Sequence, residues 1–153
     1  MPGAWLVKTE PLVYAIGDLR RDRVTAWDRV RNHQAKLMLR DGMATGDPVL
    51  IYHSNADPTG VVGLAEVAGE AVPDATQFRR GDESFEPRAT PEAPVWWARP
   101  LRFRSAFKAC VELSTLRDTP GLADLPLLRR GNRLSVMPVS ARSFRIILRL
   151  AGG

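Results

Sequence analysis

The sequence predicts an α+β domain built around a small mixed β-barrel flanked by short helices. Three observations predict it. Apolar, β-rich runs stand at 4–8, 48–54 and 96–104. Short helical patterns interrupt them, without the regular strand–helix–strand alternation of a doubly wound parallel sheet. The glycines inside 61–71 mark the bends or bulges by which a sheet curls on itself.

Taken in order, AWLVK at 4–8 reads as a short buried strand that Glu10-Pro11 ends, because proline cannot sit in a central ladder. Residues 14–21 suit a short helix with Ile16 and Leu19 turned inward. A second helix follows Trp27, with Asp28 as its expected N-cap, Val30, Gln34, Leu37 and Met38 near helical spacing, and Gly42 as its stop. Gly46-Asp47 signals a turn into PVLIYHS at 48–54, a central strand. Asn55–Gly60 is a turn, and residues 61–71 form the next strand. Residues 72–94 carry proline, charge and small polar groups and read as a loop with one helical turn near 76–79. WWARPLRFR at 96–104 is a strand interrupted by Pro100. A short helix is expected at 112–118 and a strand at 134–139. Ser140 then caps a last helix in which Phe144, Ile147 and Leu148 share a face.

The 153 residues suit one domain, 1–153, and a 44% hydrophobic content is enough to build a core without staples. One cysteine, Cys110, excludes an internal disulfide and a multi-cysteine metal site. His33 and His53 lack the spacing of a helical metal pair. No glycine-rich loop fits a dinucleotide or phosphate-loop pattern. Neither a signal peptide nor a membrane-length apolar run is present, so a cytoplasmic, soluble protein without a membrane partner is expected.

The net charge is +5 with a pI near 10.1, and three of the 22 basic residues are lysine. Arginine grips phosphate in two places or stacks on a base, although a GC-rich genome also enriches it. Position separates these readings better than number. No acid follows Asp124, whereas Arg129, Arg130, Arg133, Arg142, Arg145 and Arg149 do. Residues 57–92 hold eight acids against three arginines. Two faces of opposite sign are expected, the positive one being either a phosphate-tracking surface or a solvated face.

Four runs, in order and spacing, resemble the EVE family: WLVKTEP at 5–11, TAWDRVRNHQA at 25–35, VLIYHSN at 49–55 and PLLRRGNRLSVMPVS at 126–140. The resemblance spans nearly the whole chain. It implies a PUA-like fold, related to YTH and ASCH domains, and a module that reads modified bases, chiefly in DNA. The family usually has serine where Thr9 stands, glycine where Arg29 stands and often an aromatic where His33 stands.

A base lifted from its stack needs a π-surface, hydrogen bonds to its edge and a charged rim. The resemblance and the residue chemistry together nominate Trp27, Val30, Asn32, Tyr52, His53, Ser54 and Asn55 as ligand-binding. Arg31, Arg130 and Arg133 are nominated for phosphate contact or for bracing the pocket. Trp5 is expected in the core, together with at least one of Trp96 and Trp97. The expected partner is nucleic acid containing a modified base, with DNA favoured over RNA, bound by a monomer with no cofactor. Lys8, Thr9 and Glu10 resemble a grouping in ASCH-type amidohydrolases, which gives an alternative function on an acylated nucleoside. A protein-interaction domain that kept the barrel and lost the ligand is a further alternative.

Overall fold

A computed structural model describes residues 3–152. In chain order the elements are β1 (Ala4–Thr9), α1 (Ile16–Asp22), β2 (Val24–Trp27), α2 (His33–Leu37), β3 (Pro48–His53), β4 (Gly60–Val67), β5 (Val72–Pro73), β6 (Trp97–Glu112), α3 (Leu113–Asp118), β7 (Val136–Val139) and α4 (Ala141–Leu150). A π-helical turn (Met38–Gly42) extends α2, and short 3₁₀ turns stand at Ala75–Phe78 and Pro126–Leu128.

Seven strands form one mixed sheet in the order β2-β6-β4-β3-β1-β7, with β5 paired to β6. The β1–β3 pair is parallel; every other strand pair is antiparallel. The edge strands β2 and β7 do not hydrogen-bond to each other, so the sheet is open along one seam. The π-helical turn after α2 packs against both β6 and β7.

Both faces of the central strands are buried, which is why β1 and β3 read as continuous apolar runs. Alternation assigns the faces. Trp5 and Val7 of β1 and Val49 and Ile51 of β3 join Leu19, Trp27, Ala35, Leu39 and Leu101 in one cluster inside the curl. Leu6, Leu50 and Tyr52 point the other way, into a cluster with Leu116, Leu122, Met137 and Ile147 under α3 and α4. Burying each such side chain is worth about 1.5–3 kcal/mol. Trp5 is a core residue, as expected, and its indole N–H donates to the buried Asp47 carboxylate at 2.9 Å. Trp96 is likewise buried, and its N–H donates to Glu86 at 3.0 Å.

Several expectations need correction. The second helix starts at His33 and not after Asp28, because the chain first makes the strand Val24–Trp27 and then a turn with Arg29 at φ 63°. Its N-cap is Asn32, whose side-chain oxygen accepts from Ala35 N–H at 3.0 Å. β4 ends at Val67, short of the expected 71. β6 runs unbroken through Pro100 and on to Glu112. Proline tolerates extended backbone, and the Pro100 carbonyl still accepts from Ala68 N–H at 2.8 Å. The later half of β6 is largely exposed, so it carries no apolar alternation. It is held by pairing to Gly60–Val67, where an added Cβ on Gly63 would fall 2.7 Å from the Ser105 carbonyl.

Candidate nucleic-acid interface

The open seam is a cavity of about 390 Å³. β1 and the residue after it supply Lys8, Thr9 and Glu10, and the next turn adds Val13 and Tyr14. From the opposite edge come Thr25, Ala26 and Trp27 of β2 and the following Asp28, Arg29 and Val30; Ser135 enters from the start of β7. The curled sheet thus brings its two ends face to face, and the missing ladder between them leaves the space.

Trp27 is the aromatic wall. It is 7% exposed, packed into the inner core on one side and open to the cavity on the other. The Tyr14 ring meets it edge-on, with centroids 6.1 Å apart and planes at 85°. Tyr14 is fixed in turn, because its hydroxyl donates to Asp22 at 2.8 Å. Thr9 ties the turn down by donating to the Tyr14 carbonyl at 2.7 Å.

Two charged groups with little to satisfy them line the cavity, Lys8 at its border with the neighbouring cleft and Asp28 on the β2 side. Partial burial holds the Lys8 ammonium below its ordinary pKa, and it forms no ion pair among the described residues. Its nitrogen lies over the Tyr52 ring, 5.8 Å from the centroid. Burial, and then the negative charge of Asp74, push the Asp28 carboxyl above the usual carboxylate value. The nearest cation is Arg29, 4.0 Å away. A carboxylate in such surroundings gains much from a donor.

Of the nominated residues, Trp27 and Val30 line this cavity. Tyr52, Ser54 and Asn55 do not. Tyr52 points to the outer face of the sheet, and the three line a separate open cleft beside Lys8 with Ala56, Asp57 and Thr59. His53 sits between the two, accepting the Ile16 N–H on Nε2 at 3.1 Å, and burial lowers its pKa. Asn32 caps α2 and is exposed outside the cavity. Lys8 reaches both clefts. Lys8 and Glu10 make no ion pair, and the Glu10 carboxylate accepts from the Asn55 side chain.

Arg31 braces the site from behind. Its guanidinium donates to Asp74 at 2.9 Å, to Thr76 at 3.0 Å and to the Ser84 carbonyl at 2.8 Å, and lies over the Trp96 ring. Asp74 is wholly buried and also accepts from Arg29 N–H at 2.7 Å and from Thr76. Burial opposes its ionisation, but these donors outweigh it and hold the pKa below normal. Arg130 and Arg133 flank Gly131, which takes the positive φ of 78° that the expected tight turn requires. Both are exposed and in no ion pair among the described residues.

Tyr14, Asp28 and Ser135 are cavity residues that sequence reasoning did not single out. Asp28 and Ser135 lie inside the matching motifs, Asp28 directly after Trp27, so proximity to Trp27 was the available signal for it. Among the described residues no cluster of His, Cys, Asp and Glu is placed to hold a metal ion, and no helix is long and apolar enough to cross a membrane.

The EVE domain model matches residues 3–150. Human thymocyte nuclear protein 1 is 31% identical over 95% of this chain and 72% of its own length. A hypothetical protein from Leishmania major superposes with a TM-score of 0.95 at 38% identity, covering 99% of this chain and 96% of that one. The crystal structure of human THYN1 in complex with 5-methylcytosine-containing DNA superposes with a TM-score of 0.90 at 30% identity, covering 99% of this chain and 98% of that one. The family model and these relatives, together with the motifs and the mixed sheet, show that the chain belongs to the EVE domain family, with a PUA-like fold.

Proposed function

We propose that this chain reads a modified base in DNA, holding a 5-substituted cytosine in the seam cavity after it leaves the base stack. The carrying observation is a cavity of about 390 Å³, inside the range of roughly 300–1,000 Å³ common for ligand sites, with an aromatic wall and two under-satisfied charges. Trp27 and Tyr14 supply the π-surface. Asp28 accepts from the exocyclic amine of cytosine, and Lys8 donates to the ring nitrogen or the carbonyl oxygen beside it. Thymine carries an acceptor where cytosine carries that amine, so the Asp28 carboxylate repels it. Val13 and Val30 offer apolar surface to a 5-substituent. The family relative crystallised with 5-methylcytosine DNA supports the same ligand class.

The test compares oligonucleotides that differ at one position, bearing 5-methylcytosine, cytosine or thymine. The 5-methylcytosine strand is expected to bind tightest. Trp27→Ala should cost about 1–3 kcal/mol, the value of one stacked base. Asp28→Asn should narrow the gap between 5-methylcytosine and thymine, which share the methyl group and differ in the edge that Asp28 faces. Equal binding of all three by the unmodified protein ends the proposal.

A further inference from the structure

The turn at the rim of the cavity has a second feature. Its backbone is clamped: Val13 and Tyr14 N–H both donate to the Glu10 carbonyl at 2.9 Å, Thr9 holds the Tyr14 carbonyl, and the Glu10 side chain is held by Asn55. On this fixed base Leu12 is 100% exposed and Val13 67% exposed. Val13 also lines the cavity, so Leu12 stands beside its mouth. A lone exposed leucine is ordinary. Two adjacent apolar side chains on a rigid turn at the rim of a base-sized space are a projecting edge with no cover.

We infer that Leu12 is a wedge that enters the duplex at the level of the lifted base and fills the gap it leaves. The inference rests on the reading of the cavity as a base pocket. Removing one base from a stack opens an apolar slot between its neighbours, and leucine is among the side chains that proteins insert between base steps. A clamped turn meets this need because little ordering is left to complete on binding. The occupant of the exposed leucine is thus the base stack of double-stranded DNA; a single strand presents no such closed slot.

The test measures binding of Leu12→Ala and Leu12→Asp to one 5-methylcytosine oligonucleotide, single-stranded and in duplex. Loss of a buried leucine side chain should weaken duplex binding by roughly 10- to 100-fold, and Leu12→Asp should weaken it further, while single-strand binding stays at the level of the unmodified protein. Equal losses on both forms would make Leu12 a strand contact and overturn the wedge, as would no loss on the duplex. If the unmodified protein fails to prefer 5-methylcytosine in either form, the pocket reading itself falls, and the wedge with it. Leu12 has no packing partner to lose, so both variants are expected to fold.

Discussion

Arg29 occupies a left-handed backbone conformation, φ 63°, that costs a residue with a Cβ roughly 1–2 kcal/mol. The conformation aims its main-chain N–H at the buried Asp74, and glycine would take it without that cost. Its guanidinium forks onto Asp82 at 2.7 and 3.1 Å, but the arginine side chain is 39% exposed and such pairs are worth about 0.2–1 kcal/mol. Relief of the backbone therefore offsets the lost pair. Arg29→Gly is expected to shift urea-denaturation stability by less than about 1 kcal/mol, whereas Arg29→Val should destabilise the fold; a large loss for glycine would refute this account. His53 is the second residue with a measurable signature. Its Nε2 must be unprotonated to accept the Ile16 N–H, and burial already lowers its pKa from the ordinary 6.5. Between the lowered folded value and 6.5, the unfolded chain binds a proton that the folded chain does not. The contribution is fully present above 6.5, falls as pH drops below it, and levels off once the folded value is passed. Denaturation midpoints at several values from pH 5 to 8 should show this decline, and His53→Gln should flatten it.

At the scale of elements, the polar segment 72–94 is less loose than its composition suggests. Asp74 anchors it to the turn after β2, while Gln77, also wholly buried, bonds the Asp74 and Trp96 carbonyls and the N–H groups of Val95 and Trp96. Asp74→Ala would strip the partner from Arg31 and from the Arg29 N–H, and breaking a buried pair of this kind costs about 3–5 kcal/mol. The variant should melt well below the parent and expose the Asp28 side of the cavity to proteolysis; a loss under about 1 kcal/mol would show that the anchor carries little. Residues such as Asp74 and Gln77 also mark the limit of what the sequence made legible. Strands β1 and β3 announced themselves by apolar runs and α4 by its serine cap, whose oxygen does accept the Ser143 N–H at 3.1 Å. The outer half of β6 gave no pattern because its side chains face water. The four motifs located Trp27, Val30 and the Arg130–Arg133 bend. They could not tell that alternation along β3 sends Tyr52 to the far face, or that Asn32 is taken up by the α2 cap, because both depend on which way a strand or turn faces after the sheet curls.

At the scale of the whole molecule, the unequal distribution of charge becomes an unequal distribution of free charge. Four of the eight acids in 57–92 are engaged in ion pairs, Glu66 with Arg102 and Arg104, Asp74 with Arg31, Asp82 with Arg29 and Glu86 with Arg88. None of Arg129, Arg130, Arg133, Arg142, Arg145 and Arg149 forms an ion pair among the described residues, and all are exposed. Arg142, Arg145 and Arg149 project from α4 into an open groove with Thr119, Pro120, Ile146 and Leu150. With no acid after Asp124, these six arginines make the C-terminal part of the chain uniformly basic and available to phosphate. Two sets of arginines are available to the strand, one on the Gly131 bend that leads to Ser135 and the cavity, the other on α4. Each phosphate neutralised releases condensed counterions, so the slope of log K against log salt counts the contacts. Replacing Arg130 and Arg133 with alanine should lower the magnitude of that slope by about 1 per arginine in contact and weaken modified and plain DNA alike. The same substitutions on α4 show whether its groove lies along the strand. An unchanged slope in the bend variant would remove Arg130 and Arg133 from the interface and leave α4 as the candidate for the phosphate track.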